Sequence, residues 1–256
     1  MGLFGNLFEK KICSVCGGEI GLLGNRKLED GNLCKNCARK LSPWFSERRS
    51  STVEQIKAQL RYREENQANL ATFHPTLSLG DDTKLLVDED ARKFVVTDAR
   101  DLVADNPDLL GFDMVTGVEL DIDEDQDEAE TQDKDGKSVS YNPPRFDYSY
   151  DFHVVIRVNH PWFNEIRFRL NDSDIQTTTS PVVAARKPDP RLNQEYARYE
   201  KIGREIVELL TQGRQQHRDE VAAASAPKAA RTCAACGATS VPDANGCCPY
   251  CGSPLG

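Results

Sequence analysis

Apolar positions alternate most clearly at Phe152, Val154, Ile156 and Val158, with His153, Val155 and Arg157 between them. A period of two is that of a strand with one buried face. Asn159-His160-Pro161-Trp162 then turns the chain, and Ile166, Phe168 and Leu170 form the partner strand against outward Arg167 and Arg169. Earlier, Lys84-Leu85-Leu86-Val87 and Lys93-Phe94-Val95-Val96 flank Asp88-Glu89-Asp90-Ala91 and read as a hairpin. Phe112 to Ile122 alternates as a further strand, with Val118, Leu120 and Ile122 on one face.

Helical spacing takes over in two places. Ser51-Thr52-Val53-Glu54 reads as a capping box with Ser51 at the N-cap, and Val53, Ile56 and Leu60 carry a helix to about Leu70. Its polar faces, with Lys57, Arg61, Arg63, Glu64 and Glu65, suit a solvated connector, and the apolar repeat is too short for a coiled coil. Asp189 as N-cap and Pro190 at the first helical position open the last long helix. Leu192, Tyr196, Tyr199, Ile202, Ile206 and Leu210 mark its buried stripe, and Gly213 is expected to close it. The Ala-rich stretch at 221–230 could extend that helix but ends in a linker at Pro227.

Strands followed by one amphipathic helix make an α+β chain, in the order of a PH-like antiparallel β-barrel plugged by a C-terminal helix. The expected organisation is a first module at 1–49, a connecting helix at 50–72 and a PH-like domain at 73–218. An acidic loop at 123–147 interrupts that domain, and a linker at 219–231 leads to a last module at 232–256.

Charge changes the picture in one segment. The net charge is −9, and Glu119 to Asp135 holds ten acids against one lysine, so the remainder sums to zero. No Gly stands where a calcium loop needs one after Asp121, Asp123 and Asp125, so the tract is expected to be a solvated, mobile loop. No apolar run approaches the ~20 residues of a membrane span, and no leader pattern is present. The apolar start, with Leu3, Phe4, Leu7 and Phe8 on one face, is expected to pack on the adjacent module. Membrane contact through residues 1–11 is the alternative, and Asn6 removes the Ser or Thr that myristoylation needs.

Cysteine carries the chemistry. Of nine cysteines, eight fall into four C-x-x-C pairs: Cys13 with Cys16, Cys34 with Cys37, Cys233 with Cys236, and Cys248 with Cys251. Two pairs separated by a short loop supply the four thiolates of a tetrahedral zinc site. In the first module, turn signals at Gly24-Asn25 and Asp30-Gly31 bound a small hairpin, and Cys34 opens a short helix, a treble-clef-like order. The last module reads as a zinc ribbon, with Cys247 the spare thiol that could replace Cys248. Such short modules depend on metal for folding, so two structural Zn²⁺ ions are expected. Paired cysteines used in this way indicate a reducing, cytoplasmic setting.

The motifs Cys13-Ser14-Val15-Cys16-Gly17-Gly18, Asp30-Gly31-Asn32-Leu33-Cys34-Lys35-Asn36-Cys37 and Leu41-Ser42-Pro43-Trp44-Phe45 resemble an uncharacterised bacterial family. In it an N-terminal four-Cys module precedes a PH-like or GRAM-like domain, and some members add a C-terminal zinc ribbon. Asn159-His160-Pro161-Trp162-Phe163 ahead of Ile166-Arg167-Phe168-Arg169 is similar to a paired-strand segment in such proteins. The resemblance implies zinc binding and a bacterial cytoplasm, and transfers no catalytic residue.

Four ligands per ion leave no open position for substrate, so a non-enzymatic adaptor or scaffold with a protein partner is the first expectation. The alternative is nucleic-acid binding by the first module, whose Lys10, Lys11, Lys35, Arg39 and Lys40 otherwise serve to neutralise the thiolates. From Cys233 onward there is no Lys or Arg, so the ribbon has no phosphate contacts to offer. Redox use of a C-x-x-C pair is disfavoured because every pair has a partner pair. His74, His153, His160 and His217 form no motif and read as surface or turn residues. For lipid binding by the middle domain, Arg167 and Arg169 are too few.

Overall fold

The computed structural model describes residues 11–178, 187–225 and 230–255. The apolar start at 1–10 lies outside them. The chain divides into two compact units, Met1–Arg214 and Gln215–Gly256.

The first unit begins with two small hairpins. β1 (Lys11–Ile12) pairs with β2 (Glu19–Ile20), and β3 (Arg26–Lys27) pairs with β4 (Asn32–Leu33) across Asp30-Gly31. A one-turn helix α1 (Lys35–Ala38) follows, then the long helix α2 (Val53–Leu70). The cap of α2 stands one residue later than expected: Thr52 Oγ1 accepts from Gln55 N, and Gln55 Oε1 accepts from Thr52 N. Ser51 instead donates to the Glu47 carbonyl.

α2 is not a solvated connector. Ile56, at its start, joins the core of the first module with Ile20, Leu28, Leu33 and Leu41. Leu70, at its end, packs with Phe73 and Val95. Between them the buried stripe continues as Gln59, Arg63 and Asn66, at helical spacing but polar. Arg63, only 5% exposed, donates from Nη1 to Asp108 Oδ1 at 2.7 Å, from Nε to the Lys40 carbonyl at 3.3 Å, and from Nη2 to the Asn106 carbonyl. Ser42 Oγ donates to the other Asp108 oxygen at 2.7 Å. Asn66 donates to the Pro107 carbonyl and accepts from Leu109 N. A buried charge is tolerated only when paired and fully hydrogen-bonded, and here the partners come from three segments. This node ties the first module and α2 to the body that follows.

That body contains two antiparallel sheets. The first is β5 (Leu77–Gly80), β6 (Lys84–Asp88), β7 (Lys93–Thr97) and, beyond the short helix α3 (Leu102–Asp105), β8 (Leu110–Gly111). The second is built on β9 (Val115–Gln132) and β10 (Ser138–Val158), with β11 (Glu165–Arg169) and β12 (Ile175–Thr178) on the far side of β10. The expected hairpin at 84–96 and the paired strands around 159–162 are present. The sheets are not closed into a barrel: among the described residues no ladder joins one to the other. The mixture of helix and antiparallel strand holds; the barrel closure does not.

The acidic loop is corrected outright. β9 runs straight through the acids to Gln132 and pairs with β10 from Val115 opposite Val158 out to Gln132 opposite Ser138. Asp133-Lys134-Asp135-Gly136-Lys137 closes the ribbon, with Asp133 Oδ1 accepting from the N–H groups of Asp135 and Lys137 and Gly136 at φ +77°. Near the base of the ribbon the acids are offset by cations: Arg157 bonds Glu119, Arg167 bonds Asp121 and Asp123, and Lys187 bonds Glu124, at 2.5 to 2.9 Å. Such exposed pairs are screened by solvent and add little individually, so the ribbon depends chiefly on its backbone ladder.

The last helix also differs from expectation. Asp189 caps a 3-10 turn (Pro190–Leu192), and Asn193 Oδ1 accepts from Glu195 and Tyr196 N–H at the start of α4 (Gln194–Ser225). Leu192 therefore lies outside the helix and is exposed. Tyr196, Tyr199, Ile206 and Leu210 enter the main core with Phe94, Leu110, Phe152 and Ile156. Gly213 does not stop α4, which continues for three more turns to Ser225, into the segment 219–231 expected to be linker. It is buried under Phe112, and a Cβ there would meet the ring at 2.2 Å. That glycine gives room, not a turn.

In the second unit, β13 (Arg231–Thr232) pairs with β14 (Thr239–Ser240). Cys233, Cys248 and Leu255 form its small core.

Candidate metal centres

Three of the four C-x-x-C pairs are followed by glycine, and those three build the same turn. Cys13 N donates to the Gly18 carbonyl and Gly17 N to the Cys13 carbonyl. Cys233 with Ala238 and Gly237 repeats these bonds, as does Cys248 with Ser253 and Gly252. Gly17, Gly237 and Gly252 all have φ between +72° and +75°, which a residue with a Cβ adopts only under strain. The fourth pair, followed by Ala38, is a helix start: Cys34 is the N-cap of α1 and its sulfur accepts from Cys37 N at 3.3 Å.

The structure brings Cys13, Cys16, Cys34 and Cys37 into one set and Cys233, Cys236, Cys248 and Cys251 into another, with the sulfurs of each set within 4.8 Å of one another. Cys34 N donates to the Cys13 sulfur at 3.3 Å, which joins the knuckle to the helix pair. The hairpin between them is aligned by Ser14, whose N donates to the Asn32 carbonyl while its Oγ accepts from Asn32 N. Of the two expected turns, Asp30-Gly31 joins paired strands, while Gly21 to Gly24 forms a projecting tip. Cys247 lies outside the second set: its N–H donates to Asp243 Oδ1, and its sulfur faces the Asn245 carbonyl.

Zinc fits both sets by the chemistry and spacing of the donors. A tetrahedron with Zn–S of about 2.3 Å has edges of about 3.8 Å. The sulfurs of Cys16 and Cys34 stand 3.8 Å apart, those of Cys236 and Cys248 3.8 Å, and those of Cys233 and Cys251 3.6 Å. These are nearly twice the length of a disulfide bond, about 2.05 Å. Burial raises the Cys13 thiol, but N–H groups of Cys16, Cys34 and Val15 outweigh it and bring it down to about 6. Burial and the neighbouring thiols push Cys37 up. In the second set, Ser253 brings Cys251 down to about 6; at Cys236 the Ala238 N–H lowers the thiol, but the neighbouring thiols together with burial outweigh it and push it up to about 12. Four close sulfurs cannot all ionise unaided, and a dication among them removes that conflict. Each set can hold one zinc ion, whose contribution is cross-linking the fold.

Two features escaped sequence reading. His160 is buried, its ring 5.0 Å from that of Tyr62 and 4.1 Å from that of Phe163. Burial, reinforced by the charge of Arg63, lowers its pKa to about 4, so it is a neutral packing residue. The second is a cationic cleft in the first module, where Arg26 and Lys27 meet Arg48 and Arg49. The separation of these pairs along the chain hid it.

Two four-thiolate centres on a mixed α and β chain define a protein with zinc-type modules near both termini. Residues 11–59 match a family model described as a domain of unknown function, DUF4428. The match spans the first module and the opening turns of α2. No curated protein and no solved structure matches the chain.

Proposed function

We propose that the protein is a non-enzymatic zinc-dependent adaptor whose modules present surfaces to another protein. The observation that carries this reading is the closure of both cysteine sets: four thiolates fill a tetrahedral site and leave no position for a substrate or water. Its working compartment is a reducing one, the cytoplasm, which suits nine unpaired thiols. In the ribbon, Tyr250 is 74% exposed, and Val241, next to β14, is half-exposed. From Cys233 onward there is no Lys or Arg, which leaves Arg231 of β13 as the hairpin's one cation, and an exposed tyrosine in that setting favours a protein surface over a phosphate backbone.

The test is affinity capture with the zinc-loaded full chain from lysate, with and without nuclease, alongside Tyr250→Ser. A discrete protein retained after nuclease by the wild type, and lost with Tyr250→Ser at unchanged zinc content, is the expected result. Retention of nucleic acid, with all proteins lost on nuclease treatment, would overturn the adaptor reading.

A further inference from the structure

The tip of the first module breaks the usual chemistry of turns. Gly24 N donates to the Gly21 carbonyl at 2.9 Å and closes a four-residue turn whose two corners are Leu22 and Leu23. Corner positions normally carry polar residues, Gly or Pro. Here the leucines are 90% and 93% exposed, although Leu28 and Leu33 a few residues on are fully buried. The module has a core, and these two side chains are not in it.

Cations gather beside that tip. The Arg26 guanidinium donates to the carbonyls of Leu23 at 3.3 Å and Asn25 at 3.4 Å, which holds its charge at the base of the leucine turn. Arg48 Nη1 donates to the Lys27 carbonyl at 2.5 Å, bringing the 3-10 turn Glu47–Ser50 against β3. Arg26, Lys27, Arg48 and Arg49 line one cleft with Asn25 and a single acid, Glu29. Among the described residues none of the four cations forms an ion pair, whereas Arg157, Arg167, Arg169, Arg191 and Arg198 all do. Burial, with a smaller contribution from the charges of Arg49 and Arg26, makes the Arg48 guanidinium easier to deprotonate than usual.

We propose that the first module docks on an anionic lipid bilayer, with Leu22 and Leu23 entering the acyl boundary and Arg26, Lys27, Arg48 and Arg49 meeting headgroup phosphates. Apolar side chains and basic charge presented together are what an anionic interface selects, since either alone binds weakly. A nucleic-acid duplex would use the cations but gives two adjacent exposed leucines nothing to do. The surface involved is in the first module and independent of the ribbon surface tested above.

The test is co-sedimentation of the zinc-loaded full chain with phosphatidylcholine vesicles and with vesicles containing phosphatidylglycerol, at low and high salt. Binding to the anionic vesicles alone, weakened by salt, is expected. Leu22→Ser with Leu23→Ser should lower affinity at least about tenfold, and Lys27→Gln or Arg49→Gln about fivefold each. All these side chains are exposed, and retained zinc reports that each variant is folded. Absence of binding by the folded wild type, or binding indifferent to the leucine changes, overturns the proposal. So does preference for a duplex oligonucleotide over the vesicles, which would assign the cleft to nucleic acid.

Discussion

His160 illustrates how a single side chain links packing to solution behaviour. Buried against Tyr62 and Phe163 and facing the charge of Arg63, it has a pKa near 4 in the fold, against 6.5 when free. Between those values the unfolded chain binds a proton that the folded one does not. Stability from this group is therefore complete above pH 6.5 and falls as pH drops toward 4, by up to about 3 kcal/mol. An NMR titration of the His160 ring should show a midpoint near 4. A midpoint near 6.5 would mean that the ring is not held as described. Arg63 carries the complementary lesson. Its neighbours along α2 are polar, so periodicity assigned the whole face to water. Its burial follows from acceptors on Lys40, Asn106 and Asp108, which no local window contains.

Secondary elements departed from expectation where hydrophobicity was the wrong signal. The β9–β10 ribbon is a strand pair despite its acids, because pairing is a property of the backbone and the side chains alternate outward on both faces. Two local clues were present: the Asp-Gly turn at Asp135-Gly136, and the continuation of alternation back through Tyr148 and Tyr150. Among the described residues β9 pairs only with β10, and acids along its other edge discourage a second chain from adding there, since like charges repel. In α4 the deciding position is Gly213. Ala there gains up to about 1 kcal/mol of helix propensity. Its Cβ would also meet the Phe112 ring at 2.2 Å, and overpacking of that kind costs about 1–3 kcal/mol. Thermal unfolding of Gly213→Ala should show net destabilisation, while unchanged or raised stability would place Phe112 elsewhere.

Across the whole molecule, metal and hydrophobic burial divide the work. The first module's core is Ile20, Leu28, Leu33 and Leu41 with two of its own thiols, and the second unit's is two thiols and Leu255. The main core between the sheets and α4 contains no cysteine. Chelation should therefore unfold the end modules while the sheet signal in circular dichroism persists, with two zinc ions released per chain. Cys248→Ser should leave one bound ion and Cys247→Ser two. Full retention of structure after both ions leave would sink the structural role.

The metal centres were legible in the chain because their ligands are close in sequence and glycine marks the knuckles, so local geometry nearly completes them. The hairpin at 84–96, the strand pair around 159–162 and the presence of both major helices were legible for the same reason, since period is a short-range property; the caps were misplaced, at Ser51 for Thr52 and at Asp189 for Asn193. Barrel closure, the course of the acidic segment, the burial of Arg63 and His160 and the meeting of Arg26 with Arg48 were not. Each depends on which distant segments come together. That is decided by packing and by the need to pair every buried polar group, neither of which is a property of any one stretch.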